Sequence, residues 1–276
     1  MSNKKNISKL FYKDYFKEEN EFNFDHVLGN KKPNDDAKKA IKLRNKEIKE
    51  VELVPIPRLG IVKDNNCLSF TIAYPGLVTG VGLVHDSKNL DGAYNLGMHF
   101  DYTWGMPVVY GSSVKGVLRQ YFKDFYKGDS DKGDLDVEDL DVEDLMEDIF
   151  SGKVRNKSKD EKDNEGNVIN RGYDNKSIYQ RDIFFDAVVT KTYNKRLLED
   201  DAITPHKDGP LKNPIPIAML KIAPGCTIEF RFLLRDSMMM TAKDKLDLFK
   251  KILETVGVGA KTNVGYGKLQ FQDDKK

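Results

Sequence analysis

The spacing of hydrophobic and polar positions changes several times along this chain, and each change predicts an element. Cys67-Leu-Ser-Phe70-Thr-Ile72-Ala-Tyr74 alternates at the strand period and stops at Pro75-Gly76. Val114, Val117, Leu118, Tyr121, Phe122 and Phe125 recur every three or four residues, predicting a helix with one buried stripe. Leu246, Phe249, Ile252, Leu253 and Val256 repeat that spacing over Lys243 to Val256, and Lys268-Leu-Gln-Phe271 then reads as a short strand. Nearer the N-terminus, Ala37, Ile41, Ile48 and Val51 mark an amphipathic helix over Asp35 to Val51, closed off by Pro55 and Pro57. Arg181 to Thr190 predicts a strand, the stretch to about Asn213 reads as loop, and Pro216 to Ile222 and Cys226 to Leu234 read as two strands around the Pro224-Gly225 turn. Asp134 to Leu145 repeats Asp-Leu-Asp-Val-Glu as an acidic helix, and Ser151 to Lys176 is polar enough to be expected to be mobile.

In chain order these elements give β, α, β, an insertion, two strands, α and β, an α+β fold of ferredoxin-like βαββαβ pattern with one extra strand. Residues 1–60 read as a lysine-rich helical extension, residues 61–276 as the main domain, and residues 128–178 as an acidic and polar insertion within it.

Composition sharpens this picture in two places. The 276 residues carry a formal net charge of only +1, but Asp129 to Phe150 holds eleven acids against one lysine, so the rest of the chain is strongly basic. A neutral total therefore does not argue against a nucleic-acid partner, and the acidic stretch is expected to face away from one. The two cysteines, Cys67 and Cys226, lie in separate strand-like runs and form no disulfide framework or CxxC motif. With no apolar run of transmembrane length, a cytoplasmic protein without membrane contact is expected.

Two motifs carry candidate chemistry. Gly257-Val-Gly259-Ala-Lys261-Thr262-Asn263-Val-Gly265-Tyr266-Gly267 packs four glycines into eleven residues. Such a loop can aim successive N–H groups at an anion, with Lys261 as a cation and Thr262, Asn263 and Tyr266 as hydrogen-bonding or stacking groups; it can equally be a tight turn. Its setting, helix before and strand after, is the reverse of the phosphate loops of nucleotide-binding folds, and neither of their spacings is present. The second motif is Met106-Pro107-Val-Val-Tyr110-Gly111-Ser112-Ser113-Val-Lys115-Gly-Val-Leu118-Arg119. Ser112 or Ser113 can cap the helix, whose N-terminal N–H groups suit a phosphate. Lys115, Arg119 and Lys123 form a basic stripe, either a phosphate-binding face or a solvated one. The long connection before this motif holds His85, Asp86, His99, Asp101, Tyr102 and Trp104, but their spacing matches no metal-binding pattern, and neither metal nor cofactor is expected.

Taken in order, these motifs resemble the RAMP superfamily of CRISPR ribonucleoproteins. The C-terminal loop matches the family's GhGxxxxxGxG signature, and Pro107 to Arg119 is similar to its Pro-x-Ile-Pro-Gly-Ser-Ser-Leu-Lys-Gly-x-x-Arg segment, departing at Val108, Val109 and Tyr110. The Phe184-Phe185-Asp186-Ala187 strand, the Thr204-Pro205-His206 loop and the Gly-Ala-Lys-Thr form of the glycine loop resemble more narrowly subunit six of the Cmr (type III-B) effector. The resemblance spans about residues 68 to 270. It implies an RNA-recognition-like antiparallel sheet with helices on one face and large insertions, a thumb-like one over 190–213 among them. It also implies a subunit that binds CRISPR guide RNA, helps cap the filament, supports target RNA binding and contacts other Cmr effector subunits. Gly111, Ser112, Ser113, Lys115, Arg119, His206 and the glycine-loop residues Gly257, Gly259, Lys261, Thr262, Asn263, Gly265, Tyr266 and Gly267 are then the expected RNA contacts, with Trp104 a stacking platform.

Relatives in this superfamily cleave RNA, so an endoribonuclease is the competing reading. Metal-independent cleavage needs a base, an acid and a cation; His206 with Lys261 could supply them, and Asp186 could orient the histidine. Each also has a quieter role, Asp186 as a cap, His206 as a loop filler and Lys261 as a phosphate ligand, and a binder without catalytic residues is the expectation.

Overall fold

The computed structural model describes residues 5–17, 35–80, 82, 85, 90, 92–128, 139–204, 216–237 and 240–272. The helices are α1 (Ile7–Tyr12), α2 (Asp35–Lys49), α3 (Gly111–Gly128), α4 (Asp139–Met146) and α5 (Ala242–Val256). The strands of the main sheet are β1 (Cys67–Ile72), β2 (Val108–Val109), β7 (Ile183–Phe184), β8 (Ala187–Lys191), β11 (Thr227–Leu233) and β12 (Leu269–Phe271). Their order is β12-β1-β11-β8-β2, with β7 pairing β11, and every pairing is antiparallel.

Omitting β2, the sequence β1-α3-β8-β11-α5-β12 with order 4-1-3-2 is the ferredoxin-like arrangement the periodicity predicts. The extra sheet strand is β2, whose two residues are too few to show a period. Pro216 to Ile222 does not join the main sheet: β10 (Ile217–Ile222) pairs with β9 (Leu198–Ile203) in a separate two-stranded unit, although Leu198 to Ile203 reads as loop in the sequence. Three acids in Leu-Glu-Asp-Asp-Ala-Ile hide the strand signal. They are tolerated because Lys221 of the paired strand and Lys49 of α2 pair with Asp201 and Asp200, and strand propensity yields to such tertiary context.

The two sheet faces differ in kind. Leu68, Phe70 and Ile72 on β1, with Ile228, Phe230 and Phe232 on β11, face α3 and α5 and are at most 5% exposed. Phe122 of α3, Phe249 of α5 and Phe150, Phe184 and Phe232 join in edge, tilted and stacked ring contacts 5.5 to 6.2 Å apart. The opposite face carries Ser69, Thr71, Thr227, Glu229 and Arg231, and residues 56–58 strap across it: Arg58 grips Glu229, while Arg231 donates to the Ile56 and Pro57 carbonyls at 3.0 and 3.3 Å.

The insertion is ordered where described. β3 (Lys153–Arg155) pairs β6 (Tyr173–Asn175), and β4 (Glu161–Lys162) pairs β5 (Val168–Asn170). Arg155 and Arg171 hold Asp144, and Arg155 also holds Asp160 at 2.5 Å, so charge pairing replaces the missing apolar core. The N-terminal helices join the main core through Ile7, Phe11, Ala37, Ile41 and Ile48.

Candidate RNA interface

β2 runs directly into α3, and the junction is set by β7 and β8. Gly111 passes so close to β7 that a Cβ there would collide with the Phe184 carbonyl oxygen. Its N–H donates to Asp186 Oδ1 at 2.7 Å, which explains why the predicted Arg181–Thr190 strand breaks at Phe185-Asp186. Ser113 and Val114 N–H donate to the Tyr110 carbonyl, at 2.8 and 3.0 Å. The helix start is therefore capped by a carboxylate, contrary to the expectation that Ser112 or Ser113 caps it and leaves its N–H groups to a phosphate.

What remains for an anion lies in the side chains. A pocket of about 330 Å³ opens beside this junction, lined by Ser112, Lys115, Ile178, Arg181, Ile183 and Phe184. Lys115 Nζ sits 5.9 Å from the Phe184 ring centroid. Arg181 packs its stem on Gly152 and donates Nε–H to the Lys176 carbonyl at 3.0 Å. Neither cation has a carboxylate partner among the described residues, while Asp182, also at the pocket, is engaged by Lys245 Nζ at 2.7 Å. Two uncompensated cations and an exposed hydroxyl suit a phosphodiester, which accepts charge-assisted hydrogen bonds. Arg181 is the contact sequence reasoning missed, since it stands 66 positions from Lys115 and only the fold brings them together.

Arg119 stands differently. Its guanidinium donates to Glu147 Oε1 at 2.9 Å and Ser151 Oγ at 3.3 Å, so one acid of the insertion lies on the basic face of α3. Although burial opposes it, bonds from Lys153, Ser151 and Arg119 hold the Glu147 carboxyl below its usual range.

The glycine loop is built for close approach. N–H groups of Gly257, Val258, Ala260, Val264, Gly265, Tyr266 and Gly267 all donate to carbonyls of the protein, those of Ala260 and Gly267 to Val78 and Gly76 at 2.8 Å. A Cβ on Gly257, Gly259 or Gly267 would strike the Gly267, Val78 or Val258 carbonyl oxygen. Most of the expected anion cradle is thus consumed in holding the loop against the end of β1, which is the turn reading. Lys261, in the left-handed region at φ 62°, and exposed Asn263 still project, whereas Tyr266 donates its hydroxyl to Asp201 Oδ2 at 2.7 Å.

Register places the two motifs apart. The glycine loop lies where β1 ends and β12 begins, at the Thr227 end of β11, whereas Gly111 lies at the Phe232 end. They occupy opposite ends and opposite edges of the sheet, separated by roughly 20 Å along the strands and a similar distance across them. Trp104 is 38% exposed in a turn outside β2, beside Asn6, and also stands away from the glycine loop. His206 and Asp86 lie outside the described residues. No group of three or more metal-binding side chains occurs among the described residues, nor any helix long and apolar enough to cross a membrane.

The sequence pattern of the RAMP superfamily matches residues 69–270, nearly three quarters of the chain. The chain belongs to the RAMP superfamily. Among solved structures, this RAMP protein is similar to a chain of the type III-B Cmr-beta complex bound to cognate target RNA, with 18% identity, TM-score 0.50 and coverage of 97% of this chain and 95% of that one. Cmr6 from Pyrococcus furiosus is 18% identical with TM-score 0.37 over 75% of this chain and 97% of its own. Oligomeric Cmr4 from the same organism is 12% identical with TM-score 0.32, covering 75% and 98%. At these identities the first likeness is one of fold. No curated protein sequence matches the chain. The RAMP match covers both motifs, while α1 and α2 lie before it.

Proposed function

We propose that this RAMP protein is a non-catalytic, guide-RNA-binding subunit of a type III-B CRISPR effector, occupying the place of subunit six, where it helps cap the filament and supports target RNA binding in antiviral defence in the cytoplasm. Guide and target RNA and the other Cmr effector subunits are its partners. The observation that carries the reading is the pocket at the start of α3, where Lys115 and Arg181 lie beside Ser112 without carboxylate partners among the described residues. The glycine loop, with Lys261 and Asn263, offers a second contact at the other end of the sheet, so one RNA strand in extended form would touch both. Residues 190–213, which include β9, are then the thumb-like insertion. Sequence would be read by base pairing, with the protein holding backbone and shape.

The test is binding of a labelled single-stranded RNA to the purified chain over a salt series. Lys115→Ala and Arg181→Ala should each weaken binding and lower the slope of log K against log salt by about one; unchanged slopes remove the pocket from the interface. The same RNA scored for specific cuts, with and without EDTA, decides the catalytic question, since reproducible cleavage would overturn the non-catalytic reading.

A further inference from the structure

A second groove, of about 350 Å³, lies between the 56–62 strap and the β2–β8 edge, and its chemistry is opposite to that of the α3 pocket. Its walls are apolar: Ile56, Leu59, Val62, Val108, Phe185 and Val188. Leu59, at the rim, is 56% exposed, as is Ile61 two residues on. The polar groups that line it are Arg231, Asp101 and Asp186. Arg231 is spent on Glu229 Oε1 at 2.7 Å and on the strap carbonyls. Asp101 Oδ1 accepts the N–H groups of Thr103 and Trp104 at 2.8 and 2.7 Å, and Asp186 Oδ1 accepts that of Gly111. Neither aspartate has a cationic side-chain partner among the described residues, and each keeps its second oxygen unassigned.

We propose that this groove is a protein-docking surface that takes a lysine- or arginine-bearing apolar segment of a neighbouring subunit. An RNA backbone would bring phosphates against two carboxylates, which repel it. A long basic side chain meets both demands: its methylenes lie along apolar walls and its charged head reaches a carboxylate. The surrounding exposed Leu59 and Ile61 supply the apolar contact that protein interfaces bury at their centre. Phe184 lines both this groove and the Lys115–Arg181 pocket, so RNA and a protein neighbour would be held at adjoining sites. The proposal rests on the reading of the chain as one subunit of an assembly, but not on where RNA binds.

The test uses the effector assembly purified from cells that express the full set of subunits, with a photo-reactive phenylalanine analogue in place of Leu59. A cross-link to a peptide of another subunit containing lysine or arginine flanked by apolar residues is expected. Leu59→Arg should reduce that subunit's co-purification at least about fivefold, Asp101→Asn should weaken it, and bound RNA on the chain should be unchanged. Cross-linking to RNA, to a second copy of the chain, to an acidic segment or to nothing overturns the proposal. If the chain purifies alone, the subunit reading itself fails; if the assembly forms and Leu59→Arg leaves it intact, only the groove is excluded.

Discussion

The Tyr266 hydroxyl donates to Asp201 Oδ2 at 2.7 Å, and Lys221 Nζ meets the same oxygen at 2.8 Å. One carboxylate thereby fastens the glycine loop to the β9–β10 unit, two parts of the chain that are separated in sequence and lie in different sheets. Burial first, and Asp201 second, push the Tyr266 phenol up to about 12, so it stays protonated as a donor throughout the physiological range.

Tyr266→Phe should therefore cost about 1–2 kcal/mol, the worth of a hydrogen bond to a charged group in a partly exposed setting. Burial raises the Asp201 carboxyl, but bonds from Lys221 and Tyr266 outweigh it and the net displacement is downward. A depressed carboxyl stabilises the fold above its unfolded value near 4 and loses that contribution as pH falls through the folded value. Thermal melts of wild type and Asp201→Asn should differ clearly at pH 7 and converge as the pH falls through the depressed folded value of that carboxyl.

Some glycines are demanded by geometry and others, Gly116 among them, are not. Gly267→Ala places a Cβ against the Val258 carbonyl at φ 71° and should lower stability by several kcal/mol, about 2–4 °C in Tm for each. Gly116 lies inside α3 with nothing within 4 Å of its would-be Cβ, so Gly116→Ala should raise stability by roughly 0.5–1 kcal/mol. Calorimetry on both variants checks the pair.

Among the α3 cations, Lys115 should matter more for RNA than Arg119. Arg119 already has Glu147 at 2.9 Å, and an RNA phosphate must compete with that carboxylate. Arg119→Ala should change the salt slope of RNA binding by well under one, whereas Glu147→Gln should strengthen binding by freeing the guanidinium. Filter binding at two or more salt concentrations distinguishes these outcomes.

Lys245 is fully buried, with its ammonium on Asp182 and on the Arg235 carbonyl at 2.8 Å. Lys245→Met leaves the carboxylate buried without its cation and should cost about 3–5 kcal/mol. The double variant Lys245→Met with Asp182→Leu should recover much of the loss, as read from urea unfolding.

Local spacing by itself determined the amphipathic helices α2, α3 and α5, strand β1 and the two glycine-containing motifs, because a helix or strand writes its buried face into positions three, four or two residues apart. Tertiary structure alone decided what those motifs have to offer. The loop's N–H groups meet carbonyls of the chain only once β1 and β12 pair, and the α3 start meets Asp186 only once β8 lies beside β2. The separation of the two motifs follows from antiparallel strand direction and sheet order. The convergence of Arg181 on Lys115, and of Asp101 on Asp186, follows from chain crossings over long sequence distances. Such contacts leave no periodic trace, so no spacing rule could have announced them.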